Sequence, residues 1–127
     1  MCRIEHLTLY VSDLEREKAF FETYFNGTAG EKYHNGKTGF SSYFISFASG
    51  CRLELMNISG MEEASGRIRP GYIHMAMSVG SKDAVDLLTD RLSGDGYEVI
   101  SNPRTTGDGY YESQIADPEG NIIEITV

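Results

Sequence analysis

The feature that most constrains this chain is an internal repeat, which begins with two short stretches of the same pattern. Residues 4–11 have the sequence IEHLTLYV, and residues 72–79 have the sequence YIHMAMSV. Each stretch places a histidine, His6 or His74, at its third position. Successive side chains of a strand point to opposite faces. The pattern therefore predicts two β-strands. Each has one apolar face, and its histidine lies on the opposite face among polar or small residues.

The same series of predicted elements follows each of these strands. Apolar residues four positions apart predict a helix over residues 14–25, and a second apolar stripe predicts a helix after Ser81, a residue that suits an N-cap. Asn26 with Gly27, and the Gly-Asp-Gly at 94–96, are typical helix ends. Further strands are predicted over residues 40–48, 51–58, 97–100, 110–116 and 122–127, with an ambiguous segment at 28–33, turns at 34–39 and 117–121, and a loop at 102–109.

Two βαβββ modules therefore account for the whole chain, which is an internal duplication. Module one covers residues 1–58, a linker covers residues 59–71, and module two covers residues 72–127. The 127 residues suit a single domain. The predicted fold class is α+β.

The bulk composition excludes some classes of partner. The formal net charge is −8, which argues against nucleic acid and against an anionic membrane surface, since both reward basic patches. We find no apolar run of membrane-spanning length and no signal-peptide pattern at the start of the sequence. The two cysteines form no CxxC motif, and a cytoplasmic protein is the simplest interpretation.

Four polar residues stand in apolar strand contexts and occupy matching positions in the two halves. His6 and His74 are 68 positions apart, and Glu54 and Glu124 are 70 positions apart. A lone strand histidine is more often a core or rim residue than a metal ligand. However, a buried carboxylate is costly unless a cation compensates its charge. Four such residues in matching positions favour a divalent metal site with two imidazole and two carboxylate ligands.

The motifs of the chain resemble those of a known superfamily over essentially the whole length. They are the opening IEHLTLYVSDLE with its Phe- and Tyr-rich helix, the central GYIHMAMSV and the C-terminal DPEGNIIEI. The chain is similar to the vicinal oxygen chelate superfamily, which contains glyoxalase I, bleomycin resistance proteins and extradiol dioxygenases. The resemblance implies two tandem βαβββ modules that form curved sheets around a metal-binding cleft.

Within the superfamily, the set of two histidines and two glutamates is most similar to the glyoxalase I branch. That branch isomerises the hemithioacetal of methylglyoxal and glutathione to S-lactoylglutathione. The resemblance implies that His6, Glu54, His74 and Glu124 bind one divalent ion. It also implies that Glu124, assisted by Glu54, transfers a proton while the metal stabilises an enediolate. Nickel, cobalt and zinc are the expected metals, with manganese and iron as alternatives.

Two departures from the glyoxalase I pattern concern the thiol. The branch has an arginine four residues after the first histidine, which helps to hold the glutathione carboxylate, whereas this chain has Tyr10. The asparagine after the first glutamate comes one position later in the branch than Asn57 does here. Strand alternation adds Tyr43 as a candidate substrate contact. Three arginines are further candidates to hold a substrate anion, although a charged loop residue is more often simply solvated; they are Arg67, Arg69 and Arg104.

Other functions share this fold and stay open as alternatives. A methylmalonyl-CoA-type epimerase would need basic residues at the cleft mouth, and this chain has few. A thiol transferase of the fosfomycin-resistance type generally uses two histidines and one glutamate. A bleomycin-sequestering protein would need no metal. We expect a metal-dependent lyase that acts on a small molecule and, by the resemblance, forms a homodimer; the sequence leaves open whether one chain or two build each site.

Overall fold

The computed structural model describes residues 1–62 and 72–127. The chain separates into two compact units, Met1–Ala64 and Ser65–Val127. Each unit combines one helix with one sheet, so the fold is mixed, with two sheets and two helices in the described residues. Residues 63–71 of the predicted linker lie outside the described residues.

In the first unit one helix packs on one sheet. The strands that come first and last along the chain of this unit are parallel neighbours in the sheet. Strand β1 lies beside β5 in parallel, and β4 pairs with β5 in antiparallel orientation. The sheet order is β1-β5-β4-β2, with β3 also paired to β4. The elements are β1 (His6–Tyr10), α1 (Leu14–Phe25), β2 (Thr28–Ala29), β3 (Tyr33–Asn35), β4 (Phe40–Ser46) and β5 (Arg52–Asn57).

The second unit repeats this plan with one strand fewer. Strand β6 lies beside β9 in parallel, and the sheet order is β6-β9-β8-β7. The parallel pair β6/β9 therefore corresponds to the pair β1/β5 of the first unit. The elements are β6 (His74–Ser78), α2 (Lys82–Gly94), β7 (Val99–Thr105), β8 (Tyr111–Ala116) and β9 (Ile122–Thr126).

Local sequence fixes the ends of both helices. The Asp13 carboxylate accepts the Arg16 N–H at 3.0 Å and caps α1, and the Ser81 hydroxyl accepts the Ala84 N–H at 3.1 Å and caps α2. Helix α1 ends where Asn26 adopts a left-handed conformation with φ 53°, which asparagine tolerates better than most residues. The predicted helix over residues 14–25 is confirmed.

Each helix packs on its own sheet, α1 on two central strands and α2 on a central strand and the edge strand β7. Helix α1 contacts β4 and β5, and helix α2 contacts β7 and β8. Phe21 of α1 and Ile45 and Leu55 of the central strands are fully buried. Leu7 of the edge strand β1 is 39% exposed.

Two predicted turns or loops are partly strand. Residues 33–35 form β3, and the turn starts only at Gly36, where the Asn35 side chain accepts the Lys37 N–H at 3.0 Å. The predicted loop at 102–109 begins late, because β7 extends to Thr105. Pro103 lacks an N–H for a regular ladder, and β7 accommodates it as an edge strand with two register shifts. No helix in the described ranges is long and apolar enough to cross a membrane.

Candidate metal-binding and catalytic site

The two units place a histidine and a glutamate in equivalent positions of their parallel strand pairs. In the first unit Thr8 lies opposite Glu54, and His6 lies two residues before Thr8. In the second unit Ala76 lies opposite Glu124, and His74 lies two residues before Ala76. Residues two apart on a strand share a face, as do directly opposite residues of neighbouring strands. Each histidine therefore shares a sheet face with the glutamate of its own unit.

In the first unit the imidazole of His6 faces the carboxylate of Glu54. The His6 Nε2 atom is 3.9 Å from Glu54 Oε1. The Thr8 hydroxyl donates to the same oxygen at 3.0 Å, which holds the carboxylate on the histidine side. The His6 ring also packs on Phe44 in a T-shaped arrangement, with ring centroids 5.3 Å apart. We name His6 and Glu54 the first pair.

In the second unit the imidazole of His74 faces the carboxylate of Glu124 in the same way. The His74 Nε2 atom is 3.3 Å from Glu124 Oε2. The side-chain amide of Gln114 donates to this oxygen at 3.2 Å. Gln114 lies directly opposite Glu124 on the neighbouring strand β8. We name His74 and Glu124 the second pair.

A second carboxyl group, Glu112, lies beside the second pair. Glu112 is only 8% exposed, although it carries an ionisable group. A hydrogen bond to Glu124, burial and the negative charge of Glu124 raise the pKa of Glu112 to about 7. Burial acts to raise the pKa of Glu124 as well, but hydrogen bonds with Glu112 and Gln114, together with nearby positive charge, hold that pKa below its usual value. The two carboxyls therefore compete for one proton, with the pKa of Glu112 raised and the pKa of Glu124 lowered.

In metal-free protein, Glu112→Gln is expected to raise the melting temperature at about pH 9, by on the order of 5 °C, and to change it little at about pH 4. The folded protein keeps a proton on Glu112 between its ordinary pKa of 4.5 and about 7, whereas the unfolded chain has released it. Stability is therefore lost as the pH rises through this window, and glutamine, which stays neutral, removes that loss. Thermal unfolding in the presence of a chelator measures the effect.

The control for this measurement is Glu31→Gln, which makes the same chemical change at an exposed position. Its melting temperature should follow that of the wild type at both pH values. Equal melting temperatures for Glu112→Gln and the wild type at about pH 9 would contradict the shared proton.

The donor atoms of each pair suit a divalent metal. Two ligands that are each about 2.0–2.2 Å from one ion, and adjacent around it, lie about 3 Å apart. The separation of 3.3 Å in the second pair is close to this value, whereas the separation of 3.9 Å in the first pair is longer. Within residues 1–62 and 72–127, however, no group of three or more histidine, cysteine, aspartate or glutamate side chains is placed to hold one ion. Each unit thus offers two donors, and the joint site of four ligands stays a prediction.

The other predicted site residues of the first unit have different surroundings. Tyr10 is 61% exposed and shares the face of His6. The Asn57 amide donates to the carbonyl oxygens of Val11, at 2.7 Å, and of Ser12, at 3.1 Å, so it braces the connection from β1 to α1.

Tyr43 lies on the opposite side of the sheet from Glu54. It pairs with Leu55 of β5, while Glu54 pairs with Phe44, and its hydroxyl donates to Glu15 of α1 at 2.8 Å. The Glu15 hydrogen bond also raises the pKa of Tyr43. Tyr43 therefore belongs to the helix side of the sheet, and we do not include it in the proposed site.

Of the three candidate arginines, only Arg104 is described. Arg67 and Arg69 lie outside the described residues. Arg104 is exposed on β7 and lies opposite Glu112, and its positive charge acts to lower the pKa of Glu112 and of Glu124. Arg104 therefore places a positive charge beside Glu112 and Glu124.

Sequence reasoning missed the neighbours of Glu124. Glu112 and Gln114 were part of a predicted strand, but we assigned them no role. The turn at 117–121 carried the missing signal, because a hairpin centred on Glu119 places Gln114 opposite Glu124. Alternation then puts Glu112 on the same face.

The fold and the two pairs define a class of protein: a duplicated βαβββ protein with a histidine and a glutamate on the parallel strands of each unit. Residues 3–125 match the glyoxalase/bleomycin resistance protein/dioxygenase superfamily. The chain belongs to this superfamily, which is the vicinal oxygen chelate superfamily. The resemblance in sequence motifs and the mixed fold are thereby confirmed.

Individual relatives agree with this assignment. The chain is 30% identical over 129 residues to the uncharacterized protein YqjT of Bacillus subtilis, a match that covers 96% of each protein. It is similar to a glyoxylase/bleomycin resistance protein/dioxygenase domain from Frankia sp. EAN1pec, with a TM-score of 0.84, 20% identity, and coverage of 100% of this chain and 98% of that one. It is also similar to the trypanothione-dependent glyoxalase I of Leishmania major, with a TM-score of 0.78, 20% identity, and coverage of 99% and 86%. At 20% identity these structures share the fold.

Proposed function

We propose that the protein is a metal-dependent lyase of the glyoxalase I kind, which isomerises an adduct of a small carbonyl compound with a thiol. The observation that carries the proposal is the equivalence of the two pairs. Each unit contributes an imidazole nitrogen and a carboxylate oxygen, 3.9 Å apart in the first pair and 3.3 Å apart in the second. The two units together therefore offer four donors of the types that bind divalent metals.

The proposed ligands are His6, Glu54, His74 and Glu124, which supply two neutral nitrogen donors and two anionic oxygen donors. This set suits nickel, cobalt and zinc, with manganese and iron as alternatives. When bound, a divalent ion would stabilise negative charge that develops on the substrate oxygens. We leave open whether one chain or two supply the four ligands.

Glu124 is the proposed proton carrier. Its pKa is held below the usual value, so at neutral pH it is a carboxylate that can accept a proton from substrate. Gln114 holds its Oε2 atom at 3.2 Å, which orients the group. A proton taken from one substrate carbon can then be returned to the adjacent carbon by the same carboxyl. Glu54, whose oxygen is held by Thr8, is proposed to assist.

The residues proposed to receive the thiol part of the substrate differ from the glyoxalase I pattern. Tyr10 takes the position where the glyoxalase I branch has an arginine. Among described residues Arg104 is our candidate for binding a substrate anion, and Tyr10 is our candidate for lining the site. The proposal includes glutathione as the first thiol to test. It includes a homodimer, as the family resemblance implies, and a cytoplasmic location, which the two unpaired cysteines favour.

Metal analysis followed by activity assays tests the proposal. The protein as purified is expected to hold about one divalent ion per site, and the reloaded protein is expected to consume methylglyoxal in the presence of glutathione or another low-molecular-weight thiol. If the protein binds metal but acts on an acyl-CoA substrate and not on methylglyoxal with a thiol, the result would favour the epimerase hypothesis. A protein that takes up no nickel, cobalt or zinc after dialysis would contradict the proposal and favour the binding-protein reading.

A further inference from the structure

The imidazole of His6 has a partner on the side of the ring that faces away from Glu54. The Nδ1 atom of His6 is hydrogen-bonded to Oε2 of Glu5, the preceding residue. The other carboxylate oxygen of Glu5 accepts two hydrogen bonds from the Arg52 guanidinium, at 2.9 Å from Nε and 2.6 Å from the terminal nitrogen. Glu5 therefore links Arg52 to His6 through its two oxygens.

Three further contacts hold this arrangement together. The Arg52 guanidinium lies over the Phe44 ring, 4.1 Å from its centroid, and the His6 ring packs on the same Phe44 in a T-shaped arrangement. The backbone N–H of Arg52 donates to the backbone carbonyl oxygen of Glu5 at 2.9 Å. Arg52 is also the residue directly opposite His6 in the parallel pair β1/β5. We name Glu5 and Arg52 the clamp.

The clamp determines which ring nitrogen of His6 carries the proton. Glu5 accepts two hydrogen bonds from the Arg52 guanidinium, which only donates, and as a carboxylate Glu5 can only accept hydrogen bonds. The His6 Nδ1 atom must therefore be the donor. In the neutral imidazole Nε2 then has a free lone pair, and this is the atom that faces Glu54 Oε1 at 3.9 Å.

The second unit has different residues at the two clamp positions. Ile73 precedes His74, where Glu5 precedes His6, and Ile122 lies opposite His74, where Arg52 lies opposite His6. Neither isoleucine can orient an imidazole by hydrogen bonding. The two pairs, which are otherwise equivalent, thus differ in how their histidine is held.

We propose that Glu5 and Arg52 are positioning residues that fix His6 as its Nδ1–H tautomer and so aim its Nε2 lone pair at the metal. The tautomer part of this inference stands on the contacts of the clamp, and the metal part rests on the proposed function. A carboxylate behind a ligating histidine fixes its ring orientation and makes it a more basic ligand.

The experiment compares the wild type with Glu5→Ile and Arg52→Ile, which introduce the residues found at the equivalent positions of the second unit. The ¹⁵N shifts of the imidazole nitrogens are recorded on metal-free protein at about pH 9, where imidazole is neutral. The wild type is expected to show His6 mainly as the Nδ1–H tautomer. Glu5→Ile should reduce the Nδ1–H population at least several-fold, and Arg52→Ile should reduce it less, because Glu5 remains.

The chain provides its own controls, since it has three histidines. The signals of His34 and His74 should be unchanged in both variants, which also reports that the fold is retained. An unchanged tautomer of His6 in Glu5→Ile would overturn the proposal, and so would a wild-type His6 that is mainly the Nε2–H tautomer.

The second measurement is Co²⁺ affinity, which Glu5→Ile is expected to weaken by about 10-fold. If the wild type binds no Co²⁺, the proposed function fails, while the tautomer measurement still decides whether the clamp orients His6. If the wild type binds Co²⁺ and Glu5→Ile binds it equally well, the metal part of this inference is overturned and the proposed function is untouched.

Discussion

Glu124→Gln is expected to lower the turnover of the methylglyoxal–glutathione adduct by about 10³-fold or more, with the fold retained. Glutamine has nearly the same shape, but its amide cannot accept and return the substrate proton at neutral pH. It is also a weaker metal ligand than a carboxylate. The initial rate of adduct consumption at saturating metal measures the loss, and circular dichroism with thermal unfolding checks the fold.

Glu31→Gln is the matched control, because it removes the same charge at an exposed position of the first unit. It should retain wild-type turnover within about twofold. If Glu124→Gln were as active as this control, Glu124 would be excluded as the proton carrier, and Glu54 would become the remaining candidate.

His74→Ala is expected to weaken divalent metal binding by at least about 100-fold, since loss of even an indirect partner of a metal ligand typically costs 10–100-fold. The change removes the nitrogen that lies 3.3 Å from Glu124 Oε2. The carboxylate of Glu124 keeps its hydrogen bond from Gln114, so the rest of the second pair stays in position. Titration of the metal-free protein with Co²⁺ or Zn²⁺ measures the affinity.

His34→Ala controls for the loss of an imidazole as such. His34 lies on β3 and hydrogen-bonds to Ser41 at 2.7 Å, and it is exposed. Its replacement should leave metal affinity unchanged. Equal affinity of His74→Ala and the wild type would refute His74 as a ligand and, with it, the equivalence of the two pairs as evidence for a metal site.

Much of the fold could be predicted because its signals are local. Helix α1 was predicted at the residues where it occurs, since Asp13 and Asn26 determine its two ends through their own side-chain and backbone preferences. The repeat identified β1 with β6 and β5 with β9. Alternation along each strand then assigned His6 and Glu54 to faces that the parallel pairing brings together.

The surroundings of the candidate site could not be predicted in the same way. Arg52 is 47 positions from Glu5, and they meet only because β5 lies beside β1 in a register that places Arg52 opposite His6. Tyr43 was assigned to the wrong face of its strand for a related reason. Its side depends on its pairing with Leu55 in the hairpin, and its apolar ring is covered by α1 rather than by the face that carries Glu54.

The sequence by itself determined the duplication, the helices and the four residues of the predicted metal site. These follow from side-chain periodicity and from the spacings of 68 positions between the two histidines and 70 positions between the two glutamates. Only the tertiary structure decided which side chains hold those four residues in place: Thr8 for Glu54, Gln114 and Glu112 for Glu124, and the clamp for His6. The physical reason is that hydrogen bonds and pKa shifts act over a few ångströms. Neighbours at that range on different strands are chosen by sheet order and register rather than by distance along the chain.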